Sequence, residues 1–73
     1  MNVFQAKEKA YEEYAKTVTP GLVSGNSKYI VVDDETGSTV IVSDEITARD
    51  CECRWIFKGY VLNREINVNL IEK

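Results

Sequence analysis

The chain has 73 residues, 44% of them hydrophobic and 29% charged, a balance that suits a folding globular domain and excludes the disordered class. Nine Lys and Arg against twelve Asp and Glu leave a net charge of −3 at pH 7, which makes nucleic acid a poor match as direct partner. Histidine is absent, and with it the usual general base near neutral pH and the commonest metal ligand.

A chain of this length forms one domain, residues 1–73, and buries only ~60 to 65% of its unfolded surface, which leaves little depth for an internal active site. The N-terminal stretch "MNVFQAKEKAYEEY" is charged from Lys7 onward and has no apolar export region. Its period instead predicts an amphipathic helix over residues 3–18, with Phe4, Tyr11 and Val18 recurring at i, i+7 and i+14 and with Ala10 and Tyr14 on the same side. Asn2 is placed to cap it and Gln5, three residues on, to complete a capping box. Glu12 and Lys16 stand in the favourable i, i+4 order. Pro20 and Gly21 in "VTPG" close the helix.

After the connection "LVSGNS", the runs "KYIVV" and "TVIVS" predict two strands joined by the turn "DDETGS". Both are apolar on each face, so both faces of this hairpin are expected to be covered. From residue 51 to 57 a strand period fits, with Cys51, Cys53, Trp55 and Phe57 on one face and Glu52 and Arg54 on the other. Asp44 as N-cap and Gly59 as terminator keep open a helix over 45–57 beside a three-stranded sheet. In the tail, Tyr60, Leu62, Ile66, Val68 and Leu70 share one parity and Asn63, Glu65, Asn67 and Asn69 the other. With Lys58-Gly59 as a tight turn, residues 51–57 and 60–70 make a second hairpin. The expected fold is α+β, an N-terminal helix packed on a four-stranded antiparallel sheet.

Few residues here carry chemistry. Cys51 and Cys53 supply two thiolates where structural zinc needs four ligands, and without histidine neither has its usual activator. Two residues of extended chain span ~6.6 Å, longer than a disulfide prefers. Two small apolar side chains packed beside Trp55 is the simpler reading. The serines stand in no G-x-S-x-G context, the glycines form no phosphate loop, and residues 33–45 lack the alternating ligands of an EF-hand. The chain therefore reads as non-enzymatic, with no catalytic residues, no metal and no cofactor.

What remains is binding. Asp33, Asp34, Glu35, Asp44 and Glu45 are the candidate partner-binding residues, able to steer the domain onto a protein with a basic surface. Trp55, Phe57 and Tyr60, near Arg54 and Lys58, are aromatics for either the core or an interface. In size and charge, though in no motif, the chain resembles small phage-encoded proteins that block host defence machinery. That resemblance implies a small regulatory or inhibitory protein docking on a larger partner. The alternative is a self-assembling structural subunit, a homodimer or larger oligomer formed through an edge strand. "YIVV" and "TVIV" are too short to span a bilayer, so no membrane role and a cytoplasmic location are expected.

Overall fold

A computed structural model describes residues 1–17, 27–62 and 65–73. The expected α+β architecture is present: a helix, α1 (Val3–Thr17), packs on an antiparallel sheet of β1 (Lys28–Val32), β2 (Thr39–Val42), β3 (Trp55–Leu62) and β4 (Glu65–Glu72), with a short helix α2 (Glu45–Asp50) on the other face. The strand order is β2-β1-β3-β4, so β1 and β3 are central. The expected closure of α1 at Val18–Gly21, the connection that follows, and the expected face of Asn63 lie outside the described residues.

The capping box forms as expected: the Gln5 amide N–H donates to Asn2 Oδ1 and the Asn2 N–H to Gln5 Oε1, each at 3.0 Å. The buried stripe of α1 differs from the expected one. Ala6, Ala10 and Tyr14 are buried with Val3 beside them, whereas Phe4 is 76% exposed and Tyr11 41%. The reason is complementarity of size. Against Ile30, Val32, Trp55 and Phe57 the helix presents alanines, which let its backbone come close to the sheet. Where α1 presents its one large buried residue, Tyr14, the sheet presents Gly59. On the surface, Lys16 Nζ lies 3.8 Å from Glu13 rather than pairing with Glu12, a contact worth little at such exposure.

The hairpin β1–β2 turns on Asp33–Ser38, where the Asp33 N–H donates to the Ser38 carbonyl at 2.8 Å and the Gly37 N–H to the Asp33 carbonyl at 3.0 Å. Gly37 sits at φ 74°, the left-handed region such loops demand of one residue.

Residues 45–62 divide the two sequence alternatives between them. Asp44 does cap a helix, but that helix ends at Asp50 and the strand begins at Trp55. Lys58-Gly59 is no turn: both lie inside β3, with Gly59 paired to Lys28 on one side and Val68 on the other. The chain reverses between Leu62 and Glu65, which pair with each other. Opposed residues of an antiparallel ladder share a face, so Tyr60 and Leu62 point away from α1 while Ile66 and Val68 point towards it. The single parity expected across the tail is broken by the reversal.

Cys51 and Cys53 do not share a strand face with Trp55 and Phe57. They precede β3 and pack with Val31, Ala48 and Ile56 on the side of α2, while Trp55 and Phe57 belong to the core under α1. This small second cluster covers the central strands on that side. Sheet burial is thus two-sided at β1 and β3, as their apolar runs require, and the edge strands add partly buried residues on each side, Ile41 and Ile66 under α1 and Val42 and Ile71 on the side of α2.

Candidate functional site

The five acidic residues fall into two groups that the fold holds apart. Asp33, Asp34 and Glu35 lie in the β1–β2 turn, beyond the Val32–Thr39 pair. Asp44 and Glu45 follow the opposite end of the same hairpin, beyond the Tyr29–Val42 pair. At ~3.3 Å per strand residue the two groups are separated by at least ~10 Å.

Four of the five have partners within the chain. Asp33 Oδ1 accepts from the Glu35 N–H at 2.8 Å and the Thr36 N–H at 2.9 Å, an Asx turn that shapes the loop. Asp34 Oδ1 accepts from the indole Nε1–H of Trp55 at 2.6 Å, tying the turn to the start of β3. Asp44 caps α2, accepting from the Thr47 N–H at 2.7 Å and, through Oδ2, from its hydroxyl at 2.8 Å. Glu45 is 2.9 Å from Arg49 Nη2, one turn along α2. Glu35 alone is exposed with its carboxylate in no hydrogen bond or ion pair among the described residues.

Hydrogen bonds from Thr36 and Glu35 hold the Asp33 carboxyl below the usual carboxylate range, and those from Thr47 do the same for Asp44. A carboxylate depressed in the folded state contributes stability that is complete above its unfolded pKa of about 3.9 and is lost as pH falls through the folded value. Acidification from pH 6 to pH 3 is therefore expected to lower the urea midpoint. Asp33→Asn with Asp44→Asn keeps an acceptor in each place and removes the charge, so the double variant should show a shallower pH dependence. An undiminished slope in that variant would assign the acid sensitivity to other carboxylates.

The sulfur chemistry is quiet. Cys51 Sγ lies 3.4 Å from the Thr47 carbonyl, the last-turn position of a thiol folded back on its own helix. Burial, then the charge of nearby Asp33, push the Cys53 thiol up, which disfavours the thiolate needed for nucleophilic attack or metal binding. Among the described residues no three Cys, Asp or Glu converge on a point where a cation would sit. Trp55 and Phe57, 6% and 0% exposed, are core residues. The guanidinium of Arg54 covers the indole at 4.7 Å, a cation–π contact at its outer edge. Of the aromatics weighed for an interface, Tyr60 and Tyr11 remain accessible, while Tyr14 is buried.

Two surfaces remain. A cleft of about 430 Å³ runs between β2 and α2, lined by Lys28, Ile41, Val42, Ser43, Asp44 and Thr47. Its carboxylate is already committed to the helix cap, which leaves the Lys28 amine and two hydroxyls as its polar chemistry. The second surface is the β3–β4 half of the sheet face opposite α1. α2 packs over β1 and β2, so Lys58, Tyr60 and Leu62 of β3 and Asn67 and Asn69 of β4 stand on a face with no helix above it among the described residues, beside Tyr29. Leu62 is 52% exposed, and the Lys58 amine lies 5.9 Å from the Tyr29 ring.

Sequence reasoning put Tyr60 and Leu62 with the core-facing side of the tail. The signal that would have separated them is the pair Asn63-Arg64 as a break between two alternating runs. No protein-family model, curated protein or solved structure matches the chain. No helix among the described residues is long and apolar enough to cross a membrane.

Proposed function

We propose that this chain is a non-enzymatic protein-binding module, a small regulatory or inhibitory protein that docks on a larger partner. The observation that carries the reading is the β3–β4 sheet face, which no helix among the described residues covers, with Tyr29, Tyr60, Lys58 and Leu62 arranged on paired backbone. Tyrosine supplies large contact area at small entropic cost and is common among interface hot spots. A pleated face of half-exposed tyrosines rimmed by asparagine has the mixed polarity of a non-obligate interface. The net charge of −3 favours a partner with a basic surface, approached with electrostatic help. Within this reading Glu35 and the outer atoms of the other acidic side chains act at the rim, through the rate of encounter. The likeness in size and charge to phage-encoded anti-defence inhibitors stays part of the proposal.

The test uses tagged chain as bait in an extract of its native host, comparing the unchanged protein with Tyr60→Ala/Leu62→Lys. A partner held by the unchanged chain should be lost at least tenfold by the double variant, with far-UV circular dichroism showing the fold retained. Equal capture by both proteins would remove the sheet face from the reading. A bait that holds no protein at all would count against docking altogether.

A further inference from the structure

β4 is an outer strand, with β3 on one side and no strand on the other among the described residues. Natural edge strands are usually guarded by shortness, proline, central charges or bulges. The opposite edge, β2, is four residues long. β4 is eight residues long, EINVNLIE, free of proline and charged only at its two ends.

We propose that two copies of this chain pair antiparallel along β4 about a two-fold axis at Val68, joining their two sheets into one. This goes beyond docking on a foreign partner and does not rest on it. In an antiparallel pair opposed residues share a face, so the axis must pass through a residue position that keeps parity. With the axis at Val68, Ile66 faces Leu70 of the second copy, Asn67 faces Asn69, Val68 faces itself and Glu65 faces Ile71. Apolar residues meet apolar ones on the α1 side; on the other, amides meet amides at the centre, and Glu65 meets Ile71 only at the two ends of the ladder. An axis at Asn69 sets Ile66 against Glu72 and Asn67 against Ile71. An axis at Asn67 sets Leu70 against Arg64 and Ile71 against Asn63, apolar side chains against a cation and an amide. The strand is self-complementary in one register.

Two further observations point to the same occupant. Asn67 Nδ2 is buried without a hydrogen-bond partner among the described residues, a costly state for an amide. If the Asn67 side chain turns outward about its χ angles, Asn69 of a second copy offers it an acceptor at the facing position. On the α1 side, Leu70 is 37% exposed on β4, and the flank of α1 above it carries Tyr11 and Phe4. The Tyr11 hydroxyl donates to the Ile66 carbonyl, so this flank overhangs β4. Phe4, seven residues earlier, projects from the same flank of the helix. Two-fold pairing along β4 turns the two α1 flanks towards each other and covers the apolar side chains that a lone copy leaves in water. Isologous contact of this kind closes after two copies.

The assembly is tested by light scattering and the register by disulfide trapping. The unchanged protein should scatter as about twice its 8.3 kDa chain mass, and Leu70→Lys, with its circular dichroism unchanged, should return to the single-chain mass. An unchanged protein that keeps the single-chain mass at concentrations up to about 1 mM overturns the proposal. For the register, Asn67→Cys and Asn69→Cys proteins are oxidised with a copper catalyst separately and as a mixture, and disulfides are mapped by peptide mass spectrometry to set apart those of Cys51 and Cys53. Facing positions in adjacent strands lie within disulfide reach. A 67–69 link found in the mixture, with neither variant linking to itself, is the expected result. Self-linking of either variant, 67 to 67 or 69 to 69, overturns the register.

Discussion

Gly59→Val is expected to destabilise the protein by about 1 to 2 kcal/mol, a large share of the roughly 5 kcal/mol that a domain this small holds. A Cβ at this position would stand 2.9 Å from Cδ1 of Ile30 and 2.9 Å from Cδ2 of Tyr14. Neither neighbour has an easy retreat, since Ile30 is fully buried in the central strand β1 and the Tyr14 ring is fixed between α1 and the sheet. Two effects oppose each other. Valine suits a strand better than glycine by up to ~1 kcal/mol, while overpacking a filled core costs about 1 to 3 kcal/mol and sometimes more. The clash wins because it falls on the contact that docks the C-terminal half of α1. Urea unfolding followed by circular dichroism measures the loss, and a valine variant as stable as the unchanged protein would show that the helix is free to shift. Combined with Tyr14→Ala, the same substitution should cost much less than it does alone, because the ring it strikes is gone.

The second large effect concerns the acidic turn. Replacing Asp33, Asp34 and Glu35 together by lysine looks, from the sequence, like a surface charge reversal with little effect on folding. The fold makes it a structural change. Asp34 is the acceptor of the Trp55 indole N–H at 2.6 Å, and Trp55 is 6% exposed. Leaving that donor unpaired costs about 1 to 3 kcal/mol, which in a domain of this size lowers the melting temperature by about 10 °C. Loss of the Asx turn at Asp33 adds to it. Thermal melts of the three single lysine variants should place the largest loss at Asp34 and almost none at Glu35. A triple variant that melts with the unchanged protein would mean that the indole finds another acceptor. Electrostatic steering is therefore better examined with Asp33→Asn, Asp34→Asn, Glu35→Gln, Asp44→Asn and Glu45→Gln, which remove charge and keep an acceptor oxygen at each place. If binding to a basic partner then keeps its salt dependence, the acidic residues serve the fold and not the encounter.

Much of the architecture was legible because local rules carried it. The capping box at Asn2 and Gln5, the β-branched runs of β1 and β2, the turn with Gly37, and Asp44 as a cap all depend on residues within a few positions of one another. The candidate surface was less legible. Asp34 looks in the sequence like its neighbours Asp33 and Glu35, and its partner Trp55, 21 residues away, is brought to it only by the fold. Tyr60 and Leu62 point away from α1, against the single parity expected, because that parity does not survive the chain reversal between Leu62 and Glu65.

By itself the sequence determined the class of the fold, one helix on an antiparallel sheet, since periods of 3.6 and 2 and their breaks are properties of neighbouring residues. Its charge and the absence of histidine likewise bounded the chemistry. Only the tertiary structure decided which helical stripe is buried, that Gly59 is a seat for Tyr14 and not a turn, that the cysteines and Trp55 lie on opposite sides of the sheet, and that β2, apolar on both faces, is an edge strand rather than a central one. Each of these depends on contacts between residues distant in the chain, where the shape of one surface selects what fits the other, and no local period encodes that choice.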